Sequence, residues 1–97
     1  MTNTTKLVAP LWGAERMLGT NPIAIAFPGY KEPPIVIDMA TSALAGSTVR
    51  EHIERRLPLP EGLAIDQGGK PITDPKRVDE GALLPFAGAK GFALSLM

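Results

Sequence analysis

The residues that could do chemistry lie in three short polar stretches, residues 3–5, 38–42 and 88–91. In the second stretch Asp38 directly follows a β-branched run, and the hydroxyl residues Thr41 and Ser42 precede a predicted helix. A strand that delivers polar side chains to a helix N-terminus favours ligand binding, because free backbone amides and the helix dipole point there. The sequence therefore predicts a ligand site at this strand-to-helix junction.

Each stretch also has a purely structural interpretation. Residues 3–5 are compatible with a frayed terminus, Thr41 and Ser42 with the cap of a helix, and residues 88–91 with a surface turn. Residue spacing alone does not separate these interpretations from a ligand site.

Charge and composition exclude several function classes. The 97 residues contain 10 Lys plus Arg and 10 Asp plus Glu, so no net charge favours nucleic acid or an anionic membrane. Cysteine is absent, which excludes disulfides and thiolate metal sites. No Rossmann fingerprint, P-loop or nucleophile elbow occurs. The one histidine, His52, lies in a charged segment, and we interpret it as solvated.

Two observations bear on location. Residues 1–13 lack the continuous apolar segment of a signal peptide, and no later run is long enough to span a bilayer. Together with the absence of cysteine, this predicts a soluble, cytoplasmic protein.

The apolar pattern predicts an α/β fold with two strands at its centre. Residues 23–27 alternate large and small side chains, and residues 35–37 form a continuous β-branched run typical of a strand buried on both faces. Because the connection between them is short, we expect the strands to pair as a hairpin. Residues 19–22 are predicted to form the preceding turn, because Gly19 permits positive φ and Pro22 holds Asn21 out of the helical region.

One amphipathic helix is predicted over residues 43–56. Ala45, Val49 and Ile53 recur every four residues on one face, which we expect to pack against both strands. An alternative start remains open, because Thr48 followed by Glu51 is typical of a capping box.

The later part of the chain is rich in turns. Gly68 and Gly69 separate two short segments and predict a small hairpin. The C-terminal third is apolar, and we expect it to be largely exposed in this chain; its large residues are Leu83, Leu84, Phe86, Phe92, Leu94, Leu96 and Met97.

Five segments, taken in order, resemble one protein family. They are GTNPIAIAFPG from Gly19, IDMATS from Ile37, PEGLAID from Pro60, TDP from Thr73 and GALLPFAGAKGF from Gly81. The resemblance is to the malate/L-lactate dehydrogenase family, which lacks a Rossmann fold and includes ureidoglycolate dehydrogenase, sulfolactate dehydrogenase and piperideine-2-carboxylate reductase. It covers nearly all of this chain but only a central portion of a typical member.

The resemblance implies an oxidoreductase that uses NAD or NADP. Such an enzyme transfers a hydride between the nicotinamide cofactor and a small 2-oxo or 2-hydroxy acid, or a related cyclic imine. It also implies a mixed-sheet, non-Rossmann cofactor-binding domain and a homodimer. Residues 1–97 are then part of that domain.

The same resemblance implies five cofactor-binding residues. Thr4 matches a hydroxyl residue that contacts the cofactor, and Asp38, Met39 and Ala40 match the segment at the end of a strand. Lys90 matches the lysine of a glycine-rich word beside the cofactor. A carboxylate can accept hydrogen bonds from ribose hydroxyls, and a lysine on a glycine-rich turn can reach phosphate.

Several departures from the family pattern limit what this chain can do. The usual catalytic histidine lies upstream of the Asn-Thr word at Asn3, and His52 does not match it. Ser47 stands where the family has lysine, and Ala93 where it has glycine. We therefore expect a fragment that is inactive alone. The alternative is a small non-catalytic β-rich domain that associates with a protein partner through its apolar C-terminal tail.

Overall fold

The computed structural model describes residues 1–97 and combines two small antiparallel sheets with helices, which confirms a mixed α/β architecture. The first sheet pairs β1 (Ile23–Phe27) with β2 (Ile35–Met39), and the second pairs β3 (Ala64–Ile65) with β4 (Ala82–Leu83). The helices are α1 (Gly46–Arg55), a 3₁₀ helix (Pro75–Glu80) and α2 (Ala89–Leu96).

The first hairpin confirms the predicted strands and their pairing, but not their burial. Ile25 lies opposite Ile37, and Phe27 lies opposite Ile35. All five residues of β2 are exposed, and 65% of Ile35 is accessible to solvent. The prediction of a strand buried on both faces is therefore wrong for this chain, because no other element of it covers the hairpin.

The core lies away from this hairpin, around Val8. This residue is fully buried and bridges both Leu18 and Leu83. Val49 of α1 belongs to the same apolar cluster, and α1 packs against the 3₁₀ helix. The prediction that the helix packs against β1 and β2 is thus wrong, although the predicted helical face does contact the core.

Helix α1 begins later than expected. Its N-cap is Ala45, which makes no side-chain capping bond, so neither Thr41 nor Ser42 caps it. The exposed pair Glu51–Arg55 forms with an N–O distance of 3.0 Å, worth about 0.3–0.5 kcal/mol. His52 is half-buried rather than fully solvated, and its Nδ1 lies 2.8 Å from the Thr48 carbonyl oxygen.

The second half of the chain closes around a tight turn and ends in α2. The turn between Asp66 and Lys70 confirms the small predicted hairpin, with Ile65 bridging Pro71. The expected exposure of the C-terminal third is wrong for most of it: Leu83 is buried, and the strongly exposed large residues are Leu96 and Met97.

The projecting hairpin lengthens the molecule. The Cα radius of gyration is 14.6 Å, against about 13 Å for a compact domain of 100 residues. None of the helices has the length and apolar character needed to cross a membrane.

Candidate functional site

Asn21 joins the segments that carry the three polar stretches. Its Oδ1 accepts a hydrogen bond from the Thr4 N–H at 3.2 Å. Its Nδ2 donates to the carbonyl oxygen and to the Oγ of Ser95 in α2, each at 3.0 Å. Its own carbonyl oxygen accepts from the Thr41 hydroxyl at 3.0 Å. The buried side chain and the backbone of Asn21 thus connect three parts of the chain: the N-terminal segment, helix α2 and the residues that follow β2.

Gly19 has no side chain, and this lets the backbone near Asn21 lie close to Thr4. A Cβ added to Gly19 would lie 2.5 Å from the Thr4 carbonyl oxygen and 2.6 Å from Asn21 Oδ1, nearer than real Cβ atoms come. Asn21 has a φ of 35°, outside the right-handed helical region as predicted, and Gly19 does not use the positive φ that glycine permits. Asparagine tolerates a positive φ better than most residues do.

Thr4 is exposed, and its hydroxyl is already partly engaged. The Oγ1 accepts a hydrogen bond from the Thr20 N–H at 2.8 Å and lies 3.2 Å from the Thr20 hydroxyl. A hydroxyl has one hydrogen to donate, so Thr4 can give that hydrogen either to Thr20 or to a ligand.

Asp38 lies on the open face of the first hairpin. In the antiparallel register it is opposite Ala24, and the same face carries Ala26 and Val36. The small neighbours leave the exposed carboxylate accessible. All the large apolar residues of the hairpin other than Val36 lie on the opposite face.

Met39 and Ala40 continue from Asp38 towards the buried Thr41. Met39 is the last residue of β2 and lies opposite Ile23, whereas Ala40 is half-buried. Thr41 is held by its N–H, which donates to the Thr20 carbonyl oxygen at 2.8 Å. The end of the strand is therefore fixed immediately after the predicted cofactor segment.

Lys90 is exposed in the first turn of α2, which packs closely on the preceding turn. A Cβ on Gly91 would collide with the Phe86 carbonyl oxygen. The Phe86 N–H donates to the Thr41 carbonyl oxygen at 3.1 Å. Gly88 has a φ of 58°, which favours glycine. The turn before α2 is thus joined directly to the exit of β2.

These residues do not all line one cavity. A cleft of about 590 Å³ lies between the N-terminal segment and α2. Thr4, Asn21 and Ser95 border it, but Asp38, Met39, Ala40 and Lys90 do not. The segments that carry the predicted residues are therefore connected through hydrogen bonds of Asn21, Thr41 and Phe86, and this cleft does not bring the residues themselves together.

Asp66 lies outside this arrangement and has a shifted pKa. Backbone N–H donation from Lys70 holds the pKa of Asp66 below its ordinary value of 3.8, with Gly68 acting in the same direction and desolvation opposing both. No group of three or more His, Cys, Asp or Glu side chains is arranged to hold a metal ion.

Sequence reasoning missed Asn21 and Ser95. Each of them is a buried polar residue, 6% and 5% exposed respectively. The signal at Asn21 was its position between Gly19 and Pro22, which indicated a special backbone conformation but not a partner 74 positions away. Ser95 lies in an apolar tail, and nothing local marks it.

Comparison with known proteins shows which family this chain belongs to. Residues 1–97 match the family model described as malate/L-lactate dehydrogenase. The chain is 48% identical over 96 residues to the L-sulfolactate dehydrogenase of Methanocaldococcus jannaschii, a match covering 99% of this chain and 28% of that protein. It is 49% identical over 96 residues to the Δ(1)-pyrroline-2-carboxylate/Δ(1)-piperideine-2-carboxylate reductase of Pseudomonas putida, across 98% of this chain and 28% of the relative.

The structural likeness is equally extensive. The crystal structure of Δ1-piperideine-2-carboxylate reductase from Pseudomonas syringae aligns with a TM-score of 0.94 at 41% identity, covering 99% of this chain and 29% of that one. This chain therefore spans little more than a quarter of the length of these relatives. Because the family model matches every one of its residues, the chain belongs to the malate/L-lactate dehydrogenase family.

Proposed function

We propose that this chain is part of the nicotinamide-cofactor-binding region of an oxidoreductase. The whole enzyme transfers a hydride between NAD or NADP and a small 2-oxo or 2-hydroxy acid, or a cyclic imine that carries the same carboxylate. The observation that carries this proposal is the family match over all 97 residues. The relatives are a dehydrogenase of sulfolactate and a reductase of pyrroline- and piperideine-2-carboxylate, and these compounds have a carboxylate beside the reacting carbon.

The side chains present fit a dinucleotide. Asp38 offers an exposed carboxylate to ribose hydroxyls, and its neighbours on that face of the hairpin are the small Ala24 and Ala26 together with Val36. Lys90 offers an exposed ammonium group to phosphate at the first turn of α2. When it is bound, the nicotinamide cofactor supplies the hydride chemistry.

Backbone and hydroxyl groups complete the proposed contacts. Met39 and Ala40 lie where β2 ends, and their backbone is held in place by the fixed Thr41. Thr4 can rotate its hydroxyl hydrogen from Thr20 to a ligand. Their proposed role is to bind and orient the cofactor.

His52, the one histidine of the chain, does not fit the role of proton donor at the proposed site. His52 lies in α1, and its Nδ1 is within hydrogen-bond distance of the Thr48 carbonyl oxygen in the same helix. It is also in a different element from every proposed contact residue. General acid catalysis contributes about 10²–10⁴-fold. We therefore propose that the chain binds the cofactor without turnover. By the resemblance to its family, we also propose that the whole enzyme is a homodimer.

Amide-resolved NMR titration of the purified chain with NADH and with NADPH tests the binding part. We expect perturbed amides at Thr4, Asp38, Met39, Ala40 and Lys90. Lys90→Met and Asp38→Asn should each raise the cofactor Kd about tenfold, the effect of one contact worth about 1.4 kcal/mol.

Lys76→Met is the matched control, because Lys76 is an exposed lysine of the 3₁₀ helix, outside the proposed site. It removes the same charge and should leave the Kd unchanged. Equal weakening by Lys76→Met and Lys90→Met would reject the proposed site. Oxidation of NADH by the chain with pyruvate, oxaloacetate or a cyclic imino acid should be absent, and robust turnover would show that another acid exists.

A further inference from the structure

We propose that Asn21 is the positioning residue of the cofactor site, setting where Lys90 lies relative to the end of β2. This inference rests on the proposed function. Asn21 does not itself touch the cofactor in this proposal, and it acts through α2 and through Thr4.

The chemistry of its side chain fits that role. Oδ1 faces a donor, the Thr4 N–H, whereas Nδ2 faces two acceptors, the carbonyl oxygen and the Oγ of Ser95. Only an amide of this size supplies an acceptor and two donor hydrogens from one planar group. Asparagine also tolerates the left-handed backbone that the position requires.

The bond to Ser95 fixes one end of α2. The last four carbonyl groups of a helix have no partner within the helix, and the Ser95 carbonyl is one of them. Asn21 Nδ2 supplies that missing donor. The other end of α2 is held where Gly91 packs on the Phe86 carbonyl oxygen. A helix of 8 residues held at both ends places Lys90 on a rigid support.

The same residue holds the other two segments. Thr4 is bonded to Asn21 through its N–H and to the neighbouring Thr20 through its hydroxyl. The Asn21 carbonyl oxygen accepts from Thr41, which fixes the end of the strand that carries Asp38. Movement of α2 relative to Asn21 would therefore move Lys90 away from the other proposed contacts.

Asn21→Asp tests this directly, because the substitution keeps the acceptor for Thr4 and removes both donors to Ser95. In the cofactor-free chain, amide exchange should accelerate at Phe92, whose N–H donates to the Gly88 carbonyl oxygen in the first turn of α2. Protection of the Thr4 amide should persist. Gln67→Glu, the same amide-to-acid change at an exposed position, is the matched control and should alter neither amide.

A double-mutant cycle separates positioning from a general loss of structure or a simple charge effect. Asn21→Asp and Lys90→Met should each raise the Kd for NADH about tenfold. If Asn21 acts through Lys90, the double variant should lose less than about thirtyfold, because interacting residues are non-additive. An additive loss of about a hundredfold would overturn the inference.

The remaining outcomes are also decisive. If Asn21→Asp does not fold, Ser95→Ala enters the same cycle, since it removes one of the two bonds without adding charge; additivity with Lys90→Met again rejects positioning. A wild-type chain that binds neither NADH nor NADPH contradicts the proposed function and removes the basis of this inference. A wild-type chain that binds while Asn21→Asp binds equally well contradicts the inference alone.

Discussion

Buried polar residues, more than charged ones, hold the candidate site together. Thr41, Asn21 and Ser95 are 1%, 6% and 5% exposed, and no buried side-chain polar atom of the chain lacks a hydrogen-bond partner. An unsatisfied buried donor or acceptor costs about 1–3 kcal/mol, so these residues accept few alternative arrangements. Asp38 and Lys90 are exposed by contrast, and their positions follow from the segments that carry them.

Asp66 gives the chain a defined response to acid. Its Oδ1 accepts hydrogen bonds from the N–H groups of Gly68 and Lys70, each at 2.9 Å. The Lys70 N–H is the main cause of its lowered pKa. The carboxyl of Asp66 binds a proton less readily in the native chain than in the unfolded chain. Its contribution to folding stability is therefore complete above the pKa that it has in the unfolded chain. That contribution is lost as the pH falls through the lower native value.

We expect the turn at Asp66 to loosen as the pH falls below 3.8, the ordinary value for an aspartate. NMR shifts of the Gly68 and Lys70 amides against pH measure this. Asp66→Asn keeps an oxygen acceptor without a titrating proton, so its turn amides should not show the transition. An identical acid transition in that variant would assign it to another carboxylate.

Local elements were predictable from the sequence, and their long-range contacts were not. The first hairpin was predicted correctly because two β-prone runs joined by a short connection have few other ways to pair. The core-facing side of α1, at Val49, follows from helical period. The predicted start of α1 was wrong because the Thr41 hydroxyl does not cap the helix. It donates to the carbonyl groups of Thr20 and Asn21, a pairing that no local pattern encodes.

The candidate site shows the same division. Its residues were identified by resemblance to a family, whereas the hydrogen bonds that connect them run between distant segments. Ser95 is buried in an apolar tail, and only the fold reveals that its carbonyl oxygen meets Asn21. Burial of β2 was overestimated because a β-branched run indicates which faces are apolar, not what covers them.

Gly91 controls how closely α2 approaches the preceding turn. Gly91→Ala should destabilise the chain by about 1–3 kcal/mol, since a methyl group would collide with the backbone of Phe86 and displace the helix. Thermal unfolding by circular dichroism measures this. Gly46→Ala is the matched control, because no atom lies within 4 Å of a Cβ at Gly46, and it should be neutral or slightly stabilising. Equal stability of the two variants would contradict the packing argument.

The first hairpin has two chemically different faces. In the antiparallel register the odd-numbered residues share one face, which places six large apolar side chains together: Ile23, Ile25, Phe27, Ile35, Ile37 and Met39. Five of these are 39–65% exposed. The opposite face carries Asp38 with small neighbours and Val36. The face that we propose for the cofactor is thus separate from the main apolar surface.

The large apolar face should make this chain self-associate. Contiguous exposed apolar surface of this kind favours association, and fully burying one such side chain is worth roughly 1.5–3 kcal/mol. Size-exclusion chromatography with light scattering should therefore show an average mass that rises with protein concentration. Ile35→Lys should shift the chain towards monomer, because the charge enters the large apolar face. Val36→Lys is the matched control: the two residues are neighbours with exposures of 65% and 63%, but they lie on opposite faces. A monomer at every concentration, or equal effects of the two variants, would show that this face does not drive association.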